Sequence, residues 1–132
     1  MQRAFLDANV LFLASRDARS RLLRLWRLKD VEVVTSAYAV EEVRRNLEGE
    51  PQRKRLETLL ARTRVVPEPL IPRLPDAPRL REKDRPIIAA AIACGATHLI
   101  TGDWRDFGPY FGRRIAGVLV VPPSAFLAVH GR

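Results

Sequence analysis

Five acidic side chains have the residue type and spacing to bind a divalent cation. Asp7 and Asp103 each follow a short apolar segment, and Asp84 stands at the head of an Ile/Ala-rich stretch. Asp106 lies three residues beyond Asp103, and Glu42 lies in the first third of the chain. Oxygen-only ligands on separate elements suit Mg²⁺ or Mn²⁺. The sequence has no Cys/His ligand spacing, which argues against zinc.

Clustering these carboxylates is electrostatically costly. Two like charges about 4 Å apart repel by about 4 kcal/mol at an effective dielectric constant near 20. Protonation, a nearby arginine or a bound cation can offset that repulsion. Taken singly, each acid has a plain structural explanation, because Asp7 and Asp103 suit turns, Asp84 suits a helix N-cap and Glu42 suits a helix surface. The metal-site hypothesis therefore depends on whether the fold brings the set together.

One helix and one strand position Asp84 and Asp103. Asp84 is a favoured N-cap residue, and Pro86 fits the first turn of a helix. The apolar residues that follow have helical spacing, and they are Ile87, Ile88, Ala91 and Ile92. Gly95 predicts the end of the helix, and residues 98–101 predict a strand that ends in a Gly-Asp turn. Asp103 is thus expected just past the carboxyl end of a strand, where open α/β sheets build their sites.

Strands and helices alternate along the rest of the chain. Strands are predicted at residues 4–6, 31–35, 64–66 and 117–121, helices at 17–28, 37–47, 52–62 and after Pro122, and a helical turn at 10–14. This alternation predicts a largely parallel sheet with helices on both faces. The prolines of residues 67–78 predict a connecting loop rather than a domain boundary. We therefore expect one domain spanning residues 1–132.

Helix 37–47 offers two glutamates, which helical phase distinguishes. Its core stripe consists of Ser36, Val40, Val43 and Leu47. At about 100° per residue, Glu42 falls roughly 100° from Val43, at the rim of this stripe. Glu41 falls roughly 160° from Val43 and is expected to face solvent. Glu42 is therefore the candidate for the acidic set, with Asn46 one turn later on the same rim.

Composition limits the classes of function. The 132 residues are 47% hydrophobic, which favours a folded core over disorder. Cys94 is the only cysteine; it suits a reducing cytosol and is predicted to be a small apolar filler. The longest apolar run, residues 87–96, is about half a membrane span, and the N-terminal segment does not resemble a signal peptide. His98 and His130 are isolated in sequence and are expected to be structural or solvated.

The charge is strongly positive. Lys and Arg total 23 against 15 Asp and Glu, a net charge of +8, and most of the basic residues are arginine, whose planar fork suits phosphate. A basic excess favours a polyanionic partner, although genome composition and solubility also explain it. Arg21, Arg24 and Arg27 recur at every third position of the predicted helix 17–28. This basic stripe is either a solvated face or a contact with nucleic acid.

The ordered motifs together resemble the PIN domain family. They are Asp7-Ala8-Asn9, Ser36 with Glu42 six residues on, Asp84 opening the Ile/Ala-rich helix, and Thr101-Gly102-Asp103 followed by Asp106-Phe107. The resemblance covers nearly the whole chain. It implies a compact three-layer α/β/α sandwich with a mainly parallel central sheet. It also implies an acidic quartet and its supports, namely Asp7, Glu42, Asp84 and Asp103 with Asn9, Thr101 and Asp106, the last also a candidate metal ligand.

The resemblance implies a function as well. Members of the family are mostly metal-dependent nucleases, many of them ribonucleases, and VapC-type toxins of toxin–antitoxin pairs are a large group of similar size. The implied activity is Mg²⁺- or Mn²⁺-dependent cleavage of RNA by a metal-activated water, leaving a 5′-phosphate. Arg85 and Arg105 are adjacent candidates for holding the RNA backbone. The implied partners are RNA, an antitoxin and a second copy in a homodimer, in the cytoplasm and without a membrane.

Two other functions compete with this hypothesis. The first is a PIN-like RNA-binding or scaffolding domain with little or no catalysis, against which the intact quartet argues. The second is another Mg²⁺-dependent phosphoryl-transfer enzyme, which would need a phosphate-binding loop that this sequence lacks. The proline-rich residues 67–78 have no match in the toxin pattern, so the resemblance to nucleases in general is stronger than the resemblance to toxins.

Overall fold

A six-stranded sheet organises the part of the chain that the structure describes. A computed structural model describes residues 1–69 and 80–131. The strands are β1 (Gln2–Leu6), β2 (Val31–Ser36), β3 (Arg64–Val66), β4 (His98–Ile100), β5 (Arg114–Ile115) and β6 (Val118–Val121). Their order across the sheet is β3-β2-β1-β4-β6-β5. All neighbouring pairs are parallel except β5 and β6, which are antiparallel. The predicted α/β class with a mainly parallel sheet is confirmed.

The described residues form five α-helices, which pack around the sheet. They are α1 (Ala8–Arg16), α2 (Ala37–Asn46), α3 (Glu50–Leu60), α4 (Arg85–Ala93) and α5 (Pro123–His130). Helices α2 and α3 both pack against α1, and α4 packs against α2, β2 and β4. Helix α4 is buried along residues 87–91 because it carries only Ile and Ala there. It ends as predicted at Gly95, whose φ of +72° is a conformation that glycine adopts without strain.

The two central strands place the candidate acids at one edge. Strands β1 and β4 are parallel neighbours, with Leu6 opposite Ile100. The backbone N–H of Asp7 extends this ladder by donating to the carbonyl of Ile100 at 3.0 Å. Asp7 and the loop after β4 therefore leave the sheet side by side, as the sequence predicted from the parallel arrangement.

The predicted helix at residues 17–28 is wrong in type and length. The structure has a 3₁₀ helix there, over Arg21–Arg27. Ser20 caps its start, since the Ser20 side chain accepts a hydrogen bond from the N–H of Leu22. The sequence carries the reason, because arginines and leucines both repeat every three residues in this segment. That spacing matches the three residues per turn of a 3₁₀ helix rather than the 3.6 of an α-helix.

Other elements also differ from the predictions. The helical turn predicted at residues 10–14 is part of the longer α1. Strand β5 was not predicted, because a strand of two residues gives no periodic signal. His98 and His130 are not isolated, since their rings lie 5.5 Å apart and both contact Phe126. Cys94 is half-buried at the end of α4 rather than fully within the core. Residues 70–79 of the predicted loop lie outside the described residues.

None of the helices within the described part of the chain is both long enough and apolar enough to span a membrane.

Candidate metal centre

An open cavity at the carboxyl edge of the sheet is lined by four of the five predicted acids, all except Asp106. Its volume is about 550 Å³, and Asp7, Glu42, Asp84 and Asp103 all line it. Asp7 comes from the end of β1 and Glu42 from α2, whereas Asp84 and Asp103 flank α4 and β4. Four segments that are distant in sequence therefore contribute to one concave surface, which is the arrangement the sequence analysis required.

A hydrogen-bond network fixes Asp7 at the base of the cavity. Its Oδ1 accepts from the N–H of Ala8 at 2.7 Å, and its Oδ2 accepts from Thr101 Oγ1 at 2.8 Å and Asn9 Nδ2 at 3.1 Å. Asn9 also accepts from the N–H of Gly102 at 2.9 Å. Asn9 and Thr101 thus tie the loop after β1 to the loop after β4 and hold the Asp7 carboxylate in one orientation.

The other three aspartates form a tighter cluster. One oxygen each from Asp84, Asp103 and Asp106 lie within 4.8 Å of one another. Asp103 Oδ1 accepts from the N–H of Asp106 at 3.0 Å, which closes the turn between them. The Asp106 side chain is only 7% exposed, and its Oδ2 lies 3.6 Å from Arg81 Nη1 and 3.7 Å from Lys83 Nζ. The positive side chains of Arg81 and Lys83 therefore offset part of the repulsion between these carboxylates.

Burial changes the protonation of two of these acids. Burial raises the pKa of Asp7 to about 6, against the hydrogen bonds from Thr101 and Ala8, which lower it. Burial, followed by a hydrogen bond with Asp106, raises the pKa of Asp84 to about 7. The same hydrogen bond, more than the nearby cations, holds the pKa of Asp106 below its usual range. Burial and the neighbouring Asp106 therefore both favour the protonated form of Asp84 in the metal-free protein.

Asp84 does not act as a helix cap. Its side chain makes no capping hydrogen bond to α4, because a 3₁₀ turn over Glu82–Asp84 leads directly into the helix. Instead, its carboxyl lies on the cavity, where Asp84 Oδ2 is buried and has no hydrogen-bond partner among the described residues. A buried, unsatisfied carboxylate oxygen is costly unless something binds it.

The donor set fits a hard divalent cation. The available ligands are carboxylate oxygens on separate loops, and the unpartnered Asp84 Oδ2 offers a free coordinating atom. Asp7 and Glu42 line the same cavity beyond the three-aspartate cluster. No histidine or cysteine of the described chain lines this cavity, so the site has no soft donors.

The two glutamates of α2 differ in whether they line the cavity. Glu42 and Asn46 line it, one turn apart on α2, whereas Glu41 does not. Asn46 Nδ2 donates to the carbonyl of Glu42 at 2.8 Å. The Glu42 side chain remains exposed, so it borders the open side of the cavity.

Several cavity residues were not predicted. Lys83, Tyr38 and Phe12 line it, whereas the predicted backbone-holding residues Arg85 and Arg105 do not. Tyr38 donates its hydroxyl to the carbonyl of Lys83 at 3.2 Å and so connects α2 to the turn before α4. The only sequence signal for Lys83 is its position next to Asp84.

Fold and site together define an α/β protein with a carboxylate-lined cavity at the carboxyl edge of a parallel sheet. The sequence model of the PIN domain matches residues 3–105. The chain therefore belongs to the PIN domain family, as its motifs indicated.

A solved structure shows the same fold. It is the crystal structure of VapBC2 from Rickettsia felis bound to a DNA fragment from their promoter, and one of its chains superposes with a TM-score of 0.68. The match covers 92% of this chain and 98% of that chain at 16% sequence identity. No curated protein matches this chain in sequence.

Proposed function

We propose that the chain is a Mg²⁺- or Mn²⁺-dependent ribonuclease. The observation that carries the proposal is the three-aspartate cluster with the unpartnered Asp84 Oδ2. Two of its members, Asp84 and Asp103, line the same cavity as Asp7 and Glu42. The family membership supports the nuclease chemistry, and the net charge of +8 supports a polyanionic substrate.

Asp84, Asp103 and Asp106, with Asp7 and Glu42, would hold the cation. A cation held there supplies charge that stabilises the phosphodiester oxygens and activates a water for attack. Asp7 contributes a carboxylate whose direction is fixed by Thr101 and Asn9. A fixed carboxylate needs no reorganisation when charge develops on the substrate.

Lys83 would bind the substrate. Its side chain lines the cavity and is 60% exposed, so the ammonium can reach a phosphate oxygen from the open side. Asp106 lies 3.7 Å from Lys83 Nζ and keeps it beside the acids. The expected product is a 5′-phosphate, as the family resemblance implies.

The biological setting is a further part of the proposal. The similarity to a chain of a VapBC2 complex supports a toxin with an antitoxin partner. Action in the cytoplasm and assembly into a homodimer are part of the proposal and follow from the family resemblance alone. A small open reading frame next to the gene, encoding a candidate antitoxin, would support this setting. A housekeeping nuclease is expected to lack such a neighbour.

The activity is tested with one labelled single-stranded RNA and a matched variant pair. Wild type should cleave it in Mn²⁺ or Mg²⁺ but not in EDTA. Asp103→Asn should slow cleavage by about 10²-fold or more, since metal-assisted stabilisation of the transition state is worth several kcal/mol. Asp30→Asn is the control, because Asp30 is exposed, lies outside the cavity and has a φ of +58°, which Asn adopts readily.

The outcome separates the competing functions. RNA binding without cleavage in any divalent cation would replace the nuclease with an RNA-binding or scaffolding domain. Equal cleavage by Asp103→Asn and Asp30→Asn would show that the cluster does not hold the catalytic metal.

A further inference from the structure

A second cavity adjoins the acidic one. Its volume is about 670 Å³, and it lies between the 3₁₀ helix Arg21–Arg27, the start of α5 and the loop after β4. Gly102 lines both cavities, Asp103 lines the acidic one and Trp104 lines the second. Consecutive residues therefore face two adjacent cavities. We call the second cavity the Trp104 groove and define it by Arg21, Leu22, Arg24, Trp104, Ser124 and Leu127.

Trp104 is an exposed aromatic surface with a fixed position. Its side chain is 70% exposed, although tryptophan is usually well buried. Phe111 meets the indole edge-on, with ring centroids 4.6 Å apart and an interplanar angle of 83°. A Cβ at Gly108 would lie 3.6 Å from the ring, so the backbone there passes close beneath Trp104. The other tryptophan, Trp26, is buried and donates to Thr63.

The rim of the groove carries free positive charge. In a 3₁₀ helix, residues three apart are eclipsed, so Arg21 and Arg24 stand one above the other on the groove side. Neither forms an ion pair with a carboxylate anywhere in residues 1–69 or 80–131. Arg24 Nη2 reaches across to the carbonyl of Gly131 at 3.3 Å. No acidic side chain lines the groove in the described chain.

We infer that the Trp104 groove binds the single-stranded RNA segment next to the cleavage position, with a base stacked on Trp104 and phosphates against Arg21 and Arg24. The inference rests on the proposed nuclease function, whose substrate it makes more specific. An aromatic face beside arginines is a combination that binds single-stranded nucleic acid, because a base can stack on the aromatic ring only when it is not paired within a duplex. Because Gly102 lines both cavities, they are close enough for one strand to occupy both.

The experiment measures binding without cleavage, in EDTA, with a short single-stranded RNA. Trp104 is the exposed one of the two tryptophans, so RNA that stacks on it should quench the protein's fluorescence. Trp104→Ala should weaken RNA affinity about tenfold or more and abolish the quenching, whereas Trp104→Phe should retain most of the affinity. Val129→Ala, at a site that is also 70% exposed but outside the groove, is the apolar control and should bind like wild type.

The arginines are tested through salt dependence. Each of Arg21→Ala and Arg24→Ala should reduce the slope of log affinity against log salt concentration by about 0.7, the value for one phosphate contact on a single strand. Lys54→Ala removes an exposed positive charge on α3, outside both cavities, and should leave the slope unchanged.

The inference and the nuclease proposal fail separately. Two results together would overturn the inference, even if wild type cleaves RNA. RNA would bind Trp104→Ala as tightly as wild type, and it would not quench the tryptophan fluorescence of wild type. Quenching and affinity that depend on Trp104 in a chain that cleaves no RNA would uphold the groove and refute the nuclease.

Discussion

Replacing Asp84 with asparagine tests the acidic site through stability as well as activity. Asp84 is 7% exposed and shares a hydrogen bond with Asp106. Asparagine has almost the same shape, stays neutral at every pH and can still donate to Asp106. Asp84→Asn therefore imitates the protonated acid. We expect it to lose RNA cleavage yet to make the metal-free protein more stable at neutral and higher pH.

The size of the effect follows from the pKa of Asp84. It rises from 3.8 to about 7 on folding, and one pKa unit corresponds to about 1.4 kcal/mol. Between about pH 4 and pH 7 the unfolded chain has lost this proton while the folded chain keeps it, so wild-type stability falls as pH rises through that window and levels off above it. The loss is at most about 4 kcal/mol, and water entering the open cavity lowers it.

The measurement is urea unfolding in EDTA at several pH values. The free energy of unfolding of Asp84→Asn minus that of wild type should be near zero at about pH 4 and grow to its maximum near pH 8. Asp7 carries a raised pKa in both proteins, so its own contribution largely cancels in this difference. Asp30→Asn, at an exposed site, should give a difference that does not vary with pH.

Two results would refute the reasoning. A difference that stays flat from about pH 4 to pH 8 would show that folding does not raise the pKa of Asp84. A variant that is less stable than wild type at every pH would show that the carboxylate serves the fold. In that second case, lost cleavage could not be assigned to the site.

Two further predictions concern metal binding and the choice of glutamate. Mn²⁺ should raise the Tm of wild type by mass action, and the rise should be larger at about pH 8 than at about pH 5.5 because the ligands must be deprotonated. Asp103→Asn should lose most of this Tm shift. Differential scanning fluorimetry with and without EDTA measures the shift, and an equal shift in both proteins would place the metal elsewhere. Glu42→Gln should remove most RNA cleavage while Glu41→Gln retains it, since of these two glutamates only Glu42 lines the cavity. Initial rates of RNA cleavage measure this difference, and a slower rate for Glu41→Gln than for Glu42→Gln would contradict the geometry.

The parallel core and the acidic cavity were predictable from sequence. Short apolar segments alternating with helices fix a parallel sheet, and parallel strands end at one edge. Asp7 and Asp103 each come directly after such a segment, so their proximity follows from topology alone. Glu42 followed from helical phase, because α2 has a regular core stripe through Val40 and Val43. The local sequence pattern was sufficient wherever the position of a residue along a strand or helix determined where its side chain lies.

What the sequence left open depends on contacts between distant segments. The hydrogen bond between Asp84 and Asp106 joins two turns, and no spacing rule distinguishes it from the N-cap that Asp84 also suits. Lys83 enters the cavity because a 3₁₀ turn precedes α4, and helix propensity does not anticipate that turn. The 3₁₀ helix at Arg21–Arg27 was missed because its three-residue period was assigned to an α-helical face.

The hydrogen bond between Thr101 and Asp7 also determines when the site can exist. These residues are 94 positions apart, and β4, which leads to Thr101, must insert beside β1 before the bond forms. Contacts of such long range form late, since the chain must close a large loop first. During synthesis, β1 and β2 can pair while the segment that carries Asp103 is still unmade. Under the proposed ribonuclease function this order is protective, because a nascent chain still attached to its ribosome and messenger RNA has no assembled acidic cavity with which to cut them.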